Sequence, residues 1–393
     1  MIPRVLAVLA LCLVLLGTGI YLGGHPDGLP GVVRDPLVGD QDTRVVNEAI
    51  DDVASTYYRA IPRDQLANAA VRGLVGSLHD RFSNYFDPKE YARFREVTSS
   101  EFSGVGISVG EDKRGLRVIE VFDSSPAKQA GIEVGDIITA VDGTSLRGRP
   151  RDQSVALIKG KTGTDVRLRV LHGHRERDVR LTRTTISVPV VQSKERTVNG
   201  RKLAVIQLAQ FSSGAHGELY AAVRKALKDH AKGLVLDLRH NPGGLVSEAQ
   251  LVASAFLENG TIVTTKGRSV PTRTLSATGD AVAPKTPMVV LVDRDSASAA
   301  EIVAGALQDH KRAQLVGTQT YGKGVFQQVL ELDNGGALDL TAGQYFTPNG
   351  RNLGGKGTSQ GAGLSPDVPA KDDPKTKPDE ALDTALRTLA RQA

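Results

Sequence analysis

The chain has 393 residues, of which 40% are hydrophobic and 24% charged, so it is long enough for two or three globular domains. Its 49 basic and 44 acidic residues leave a net charge of +5 without a long basic tract, and Trp is absent; nucleic-acid binding is therefore not expected. Cys12 is the only cysteine, which excludes an intrachain disulfide and a zinc site built from several cysteines; because it lies inside the apolar N-terminal run, thiol catalysis is not expected either.

The N-terminus predicts an export signal. Met1-Ile-Pro-Arg4 is followed by the nearly uninterrupted apolar run Val5 to Leu22. One basic residue before 18 apolar ones is typical of a signal peptide or an uncleaved signal anchor, and the weak cleavage site at Gly17-Thr-Gly19 favours the anchor. We assign 1–24 to this segment and the Gly- and Pro-rich residues 25–40 to a linker. The rest of the chain is then extracytoplasmic and anchored to the cell membrane, or secreted if the segment is cleaved.

Residues 41–98 predict a small helical region. Its apolar residues recur at helical spacing, first through Val45, Val46, Ile50 and Val53 and then from Leu66 onward. Nothing in this region predicts chemistry.

Residues 99–186 contain two glycine-rich motifs, Ser103-Gly-Val-Gly-Ile-Ser-Val109 and the segment from Pro126 to Ile138. The first is similar to the carboxylate-binding loop and following strand of a PDZ domain, and the second is similar to the helix, turn and strand of that domain, so residues 99–186 resemble a PDZ domain. The alternatives are a dinucleotide-binding loop, whose glycine spacing does not fit, or an ordinary glycine turn. The resemblance implies that an extended peptide adds to the strand while loop N–H groups hold its terminal carboxylate. The implied peptide-binding residues are Ser103, Gly104, Val105, Gly106 and Ile107.

Residues 187–372 alternate between predicted strands and helices. Strands are predicted at 203–208, 233–239 and 288–292, and helices at 217–230, 247–258 and 299–309. This alternation predicts an α/β core. Residues 373–393 read as a charged linker and a terminal amphipathic helix.

Two loops of this core carry candidate catalytic residues. Ser298 lies between a buried strand and a helix, with Glu301 three residues later, which is a capping-box pattern. A hydroxyl at a helix start lies beside free N–H groups that stabilise an oxyanion, although most serines at such positions are only caps. Lys323 lies between glycines, where backbone can approach a substrate closely; most such lysines are simply solvated.

Asn241-Pro-Gly-Gly244 ends a predicted buried strand. Glycines at such a place leave backbone N–H groups free to point at a substrate oxygen, although a plain turn is the more common use of Gly-Gly. The candidate oxyanion donors are Gly243 and Gly244, which the sequence does not separate, together with Ala299.

Four ordered motifs resemble the carboxyl-terminal processing (tail-specific) serine proteases over residues 40–370. They are Asp237-Leu-Arg-His-Asn-Pro-Gly-Gly244, Ser296-Ala-Ser-Ala-Ala-Glu301, Thr320-Tyr-Gly-Lys-Gly-Val-Phe-Gln327, and Thr347-Pro-Asn-Gly-Arg351 with Leu364-Ser-Pro-Asp367. One departure is Asp295, where the family usually has Gly.

The resemblance implies a Ser298–Lys323 dyad in which Gln327 orients the lysine. It also relates Asp309 to an acidic position sometimes grouped with the charge relay, against the alternative of a solvated carboxylate at a helix end. The implied fold is an α/β protease core of residues 187–372, preceded by a β-rich PDZ domain and an N-terminal helical segment.

The expected function is a serine endopeptidase that cleaves exported proteins near their C-termini, with no cofactor and no metal. Its partners would be proteins or peptides with free C-termini and the membrane, and a homo-oligomer is compatible with the family. The alternative is a catalytically silent PDZ scaffold. A His-based triad using His240 or His310 is a competing mechanism that the resemblance does not favour. No His-Glu-x-x-His pattern occurs.

Overall fold

The computed structural model describes Gly19 and residues 41–373, 375–376 and 378–392. The predicted signal segment and linker, residues 1–40, lie outside the described residues apart from Gly19. Within the described part, no helix is both long and apolar enough to cross a membrane. The chain divides into two units after His79.

The first unit contains helices α1 (Gln41–Thr56) and α2 (Arg63–Gly76), which confirms helices at these positions. Their apolar residues are largely exposed: Val45, Val46 and Leu74 each show about half or more of their surface, whereas Val75 is buried. The periodicity that predicts the helices therefore does not mark a core within this unit.

The second unit opens with strand β1 (Asn84–Phe86) and helix α3 (Pro88–Ser99). Asp87 caps α3, since its carboxylate accepts hydrogen bonds from Lys89 N and Glu90 N. The predicted helical region, residues 41–98, is therefore divided between the two units, and the sequence analysis gives no separate helix at the position of α3.

A β-rich domain follows. A two-stranded sheet joins β2 to β9, and the main sheet has the order β3-β4-β5-β7-β8, with β6 paired to β5. Strand β3 is at the edge of this sheet. The elements of this β-rich domain, in chain order, are β2 (Glu101–Gly104), β3 (Ile107–Asp112), β4 (Gly115–Val121), α4 (Pro126–Gln129), β5 (Ile137–Val141), β6 (Thr144–Ser145), α5 (Arg151–Ile158), β7 (Asp165–His172), β8 (Arg175–Thr182) and β9 (Thr184–Ser187).

The α/β core is a six-stranded sheet with the order β10-β11-β12-β15-β16-β19, parallel except for the β10–β11 pair. Helices α6, α7 and α8 cover one face and α9 the other, so the central strands are apolar on both faces. Its elements are β10 (Val191–Val198), β11 (Arg201–Leu208), α6 (Ala215–Lys228), β12 (Gly233–Asp237), α7 (Val246–Ser254), β15 (Met288–Val292), α8 (Ala299–Asp309), β16 (Gln314–Gly317), β19 (Val368–Pro369) and α9 (Glu380–Gln392).

The predicted strand–helix alternation is confirmed, with α7 ending at Ser254 rather than at residue 258. An antiparallel sheet that the sequence analysis did not predict lies beside it, in the order β1-β18-β13-β14, with β17 also paired to β18. Its further strands are β13 (Thr261–Gly267), β14 (Arg273–Ser276), β17 (Val325–Glu331) and β18 (Ala337–Phe346).

Candidate active site

Three loops meet at one edge of the core sheet because they follow adjacent parallel strands. Residues 238–244 follow β12, residues 293–298 follow β15, and residues 318–324 follow β16. The carboxyl ends of parallel strands lie at the same edge, where α/β proteins commonly place their sites. This topology brings the predicted nucleophile, oxyanion turn and lysine loop together.

Ser298 ends the loop after β15 and begins α8 with φ 55° and ψ −115°. A non-glycine residue in such a conformation costs on the order of 1–3 kcal/mol, and such strain clusters at functional sites. Ser298 is half-buried, whereas α8 behind it is buried from Ala299 to Leu307. The hydroxyl therefore lies on a rigid helix N-terminus that favours negative charge.

The turn after β12 packs against this serine. Asn241 is fully buried; its amide donates to Leu208 O at 2.7 Å, and its carbonyl oxygen Oδ1 accepts from Gly243 N at 2.8 Å. A Cβ on Gly243 would lie 2.7 Å from Ala297 O and 2.8 Å from Ser298 Cβ, and the residue has φ +101°. Only glycine fits at this approach.

The N–H groups near Ser298 are not equivalent. That of Gly243 is already donated to Asn241. Those of Gly244 and Ala299 donate to no group in the part of the chain that the structure describes. Gly244 is also exposed, whereas Gly243 is buried. The structure thus distinguishes two glycines that the sequence does not separate.

Lys323 lies in the loop after β16 and is partly buried. Its Nζ donates to Gln327 Oε1 at 2.6 Å and lies 5.1 Å from the ring centroid of Phe82. Burial lowers the pKa of Lys323, and the opposing charges of Asp339, Asp80 and Glu301 do not cancel that effect. A lysine with a lowered pKa can act as a proton acceptor.

Glu301 joins the nucleophile to the lysine loop. Its fully buried carboxylate accepts from Ser298 N at 2.9 Å and from Lys323 N at 3.0 Å through Oε2. Its Oε1 accepts from Thr320 Oγ1 at 2.6 Å and Gly322 N at 2.8 Å. The sequence shows Glu301 as a capping residue, but its hold on the lysine loop depends on tertiary structure.

Asp309 does not join this group. It lies at the other end of the 11-residue helix α8, about 16 Å along the axis from Ser298. Its nearly buried carboxylate pairs with Arg351 and accepts from Asn349 N at 2.9 Å. The geometry therefore gives Asp309 a structural ion pair, neither solvated nor next to the lysine.

Asp295, the departure from the family pattern, pairs with His240 on the outside of the site. His240 Nδ1 lies 3.1 Å from carboxylate oxygens of both Asp293 and Asp295. The hydrogen bond to Asp295 raises the pKa of His240. Among the described residues these three side chains form the group that could hold a metal ion, with ligand atoms within 4.8 Å of one another. Their mutual hydrogen bonds account for the arrangement without a metal.

The predicted carboxylate-binding loop, Ser103 to Ile107, spans the end of β2, the two-residue connection and the first residue of β3. The Ser103 hydroxyl donates to Gly160 O at 2.6 Å. Val105 is buried, and its carbonyl accepts from Ala127 N at 3.0 Å. Gly106 has φ +80°, and a Cβ there would lie 2.1 Å from Ser125 Cβ. Gly104 is buried, and Ile107 begins the edge strand β3.

A cleft of about 500 Å³ lies along β3. Ile107, Val109, Phe122 and Val155 line it, with α5 opposite the strand. Arg151 on α5 donates through Nε to Val109 O at 3.1 Å, so it covers one carbonyl of the otherwise open edge. An unpaired edge strand such as β3 is the element to which an extended chain can add.

A second cleft, of about 520 Å³, is lined by Gln327, which accepts from Lys323 Nζ. Phe326, Val246, Leu275 and Arg273 also line it. Val246 is two residues after Gly244 in the chain, so the lining includes a residue that contacts the lysine and one that follows the glycine turn closely in sequence.

Family models match both domains. One for peptidase family S41 covers residues 202–370, and one for the PDZ domain covers residues 103–182. A carboxy-terminal-processing protease of Bartonella bacilliformis is 38% identical over 322 residues, which are 80% of this chain and 71% of that protein. A Staphylococcus haemolyticus protein described as a CtpA-like serine protease is 33% identical over 355 residues, or 89% of this chain and 70% of that protein.

A solved structure of a Bacteroides fragilis protein described as an S41 protease shares the fold. It matches with a TM-score of 0.51 at 18% identity and covers 88% of this chain and 97% of that one.

Proposed function

The chain belongs to the carboxy-terminal-processing proteases of peptidase family S41, and from that premise we propose that it is a serine endopeptidase with a Ser298–Lys323 dyad. The observation that carries the proposal is the Glu301 carboxylate, which accepts hydrogen bonds from the backbones of both residues at 2.9 and 3.0 Å. A nucleophile and a base held by one buried group have the fixed mutual position that acid–base catalysis needs.

Neutral Lys323 accepts the proton of the Ser298 hydroxyl as its oxygen attacks the peptide carbonyl carbon. The resulting oxyanion is stabilised by the N–H groups of Gly244 and Ala299, which are free of other acceptors in the described structure. The Lys323 ammonium then gives its proton to the leaving amine. Water, deprotonated by the same lysine, then attacks the acyl carbon, and the lysine returns that proton to the Ser298 oxygen as the ester bond breaks. Gln327 orients Lys323 throughout because its Oε1 accepts a hydrogen bond from one N–H group of the lysine.

We propose that the β3 cleft receives the C-terminus of the protein substrate. Its edge strand and apolar lining suit an extended peptide ending in an apolar residue, with the 103–107 loop holding the carboxylate. The cleft beside Gln327 would hold the side chain next to the cleaved bond. A silent scaffold would use the first cleft without the second.

The residues from 41 onward are proposed to work outside the cytoplasm, held at the membrane by the apolar run Val5 to Leu22. Fractionation of the full chain tests this: it should partition with membranes, while a chain starting at residue 41 should not. Full-length protein in the cytosol would contradict the export proposal.

Casein cleavage by residues 41–393 tests the catalytic proposal. Ser298→Ala and Lys323→Ala should each lose cleavage, and Lys323→Arg should stay inactive because a guanidinium does not release its proton. Ser193→Ala and Lys194→Arg, adjacent exposed positions on β10, serve as matched controls and should retain full activity. A folded wild-type chain without any peptidase activity would favour the scaffold, and an active Lys323→Arg enzyme would overturn the dyad.

A further inference from the structure

The Gln327 side chain is held at both ends of its amide. Oε1 accepts from Lys323 Nζ at 2.6 Å, and Nε2 donates to Thr341 Oγ1 at 3.2 Å. Thr341 faces Gln327 directly in the β17–β18 register. The two strands therefore place a hydroxyl where it can fix which end of the amide faces the lysine.

Thr341 is in turn held by a carboxylate. Thr341 N donates to Ser83 Oγ at 3.0 Å, and Ser83 Oγ donates to Asp80 Oδ2 at 2.6 Å. The Thr341 hydroxyl also lowers the pKa of the Asp80 carboxyl. Phe82 N fixes the other carboxylate oxygen, Oδ1, at 2.9 Å.

The Asp80 carboxylate holds Thr341 in place through Ser83. An ionised carboxylate only accepts, so Ser83 Oγ donates to it and accepts from Thr341 N, which fixes Thr341 opposite Gln327. The Thr341 hydroxyl then accepts from Gln327 Nε2. Gln327 Oε1 is then left to face Lys323. Burial raises the pKa of Asp80, but hydrogen bonds from Ser83 and Thr341 outweigh it and lower the pKa overall, so Asp80 stays ionised at neutral pH.

We propose that Asp80 and Thr341 are positioning residues for the general base: they fix the Gln327 amide so that its oxygen accepts from Lys323 and the lysine lone pair is left for Ser298. This inference rests on the proposed dyad. In this proposal neither Asp80 nor Thr341 touches the substrate. With the amide reversed, Nε2 would face Nζ. It would meet the N–H groups of the Lys323 ammonium, or it would donate to the lone pair of the neutral amine and so take the lone pair that Ser298 needs.

Steady-state cleavage of a peptide by residues 41–393 tests the proposal. Thr341→Val keeps the shape of the side chain but removes the hydroxyl, and it should lower kcat about 10- to 100-fold through misplacement of the base while KM changes little. Thr341→Ser restores the hydroxyl and should recover most of kcat.

Asp80→Asn should lower kcat about as much as Thr341→Val does. It should also move the rise of activity to lower pH, since one charge that raises the pKa of Lys323 is gone. Thr197→Val, the same change at an exposed site on β10, should leave kcat intact.

A double-mutant cycle separates positioning from general support of the sheet. In a Gln327→Ala background, Thr341→Val should have no further effect on kcat, because both changes remove the same interaction. Losses that multiply, or no rescue by Thr341→Ser, would show that Thr341 acts by supporting the fold and would overturn the inference. Thr341→Val with normal kcat, beside an inactive Lys323→Ala, would overturn the inference and leave the dyad standing; an active Lys323→Ala would overturn the dyad itself.

Discussion

Ser298 and Lys323 lie on two sides of the site that are held in different ways. The side of the proposed nucleophile Ser298, called the nucleophile side, is built from backbone: the positive-φ Ser298, the Gly243-Gly244 turn and the buried ends of β12 and β15. The side of the proposed base Lys323, called the base side, is built from side chains, since Lys323 is held through Gln327, and the Tyr345 hydroxyl donates to the Lys323 carbonyl.

The difference determines how each side can fail. The position of a turn built from backbone does not depend on side-chain rotamers. Such a turn, however, has no room for an added Cβ. A side-chain network tolerates small changes in shape, yet its chemistry depends on which groups donate, which accept and which are charged. Substitutions that add volume should therefore damage the first side, and substitutions that keep volume but change hydrogen bonding should damage the second.

The largest effect is expected for Gly243→Ala. The new Cβ would lie 2.7 Å from Ala297 O and 2.8 Å from Ser298 Cβ, so the turn must move away from the nucleophile. The neighbouring Gly244 N–H moves with the turn, and loss of one oxyanion donor typically lowers kcat about 10²- to 10³-fold. Gly200→Ala is the control: φ is also positive, at +76°, but nothing lies within 4 Å of its Cβ. It should cost about 1–2 kcal/mol of stability without loss of kcat, and equal kcat in both variants would contradict the backbone-built picture.

The nucleophile side is also the part of the site that the sequence predicts best. The apolar run ending at Val292 and the helical pattern from Ala299 place Ser298 at a strand-to-helix joint, and the structure has both elements at those residues. Adjacent parallel strands then bring Asn241-Pro-Gly-Gly244 beside it. Local pattern and a simple topological rule suffice here because backbone does the positioning.

The base side depends on contacts far apart in sequence, and the pattern analysis missed most of it. Thr341 and Asp80 reach Gln327 only because β17 and β18 pair, and this sheet was not predicted. One signal was present: Asp333-Asn-Gly-Gly336 lies between two β-prone runs, which is typical of a hairpin. The reach of Glu301 across to Lys323 had no comparable signal in the sequence.

Glu301→Gln tests the one residue that connects the two sides. Each carboxylate oxygen of Glu301 accepts hydrogen bonds from two donors. In the glutamine variant, the NH₂ group that replaces one of these oxygens must therefore face two donors in either orientation of the amide. We expect a loss of about 1–3 kcal/mol in the free energy of unfolding and a fall in kcat of about 10- to 100-fold. Glu248→Gln is the matched control, a buried carboxylate that accepts from Gly214 N and His216 N outside the site. It should lose stability but keep kcat, and an equal loss of kcat in both would remove the special role of Glu301.

Asp339→Asn tests the charge sensitivity of the base side. Burial raises the pKa of Asp339 to about 6, so the group is ionised above that pH, and its charge then raises the pKa of Lys323 against the lowering effect of burial. Because the base must be neutral, kcat/KM rises with pH through the lysine pKa. Removing the carboxylate should lower that pKa and move the rise about 0.5–1 pH unit toward acid. Asp333→Asn, exposed in the turn of the same hairpin, should leave the profile in place; a shift toward alkaline pH in Asp339→Asn would contradict the assignment of the limb to Lys323.

The smallest effect is expected for His240→Ala, which would break the comparison if it were large. His240 is the histidine next to the Asn241 turn, and a His base would replace the side-chain network around Lys323 altogether. Its side chain is 74% exposed, however, and Nδ1 is directed at Asp293 and Asp295. The backbone bond from His240 N to Asp293 Oδ1, at 3.1 Å, survives the substitution and keeps the turn in place. Exposed ion pairs contribute about 0–1 kcal/mol to stability. We therefore expect kcat to stay within about twofold of the wild-type value and the pH profile of kcat to keep its position. A loss greater than tenfold with an unchanged unfolding temperature would make His240 a catalytic group, and the lysine would no longer be needed as the base.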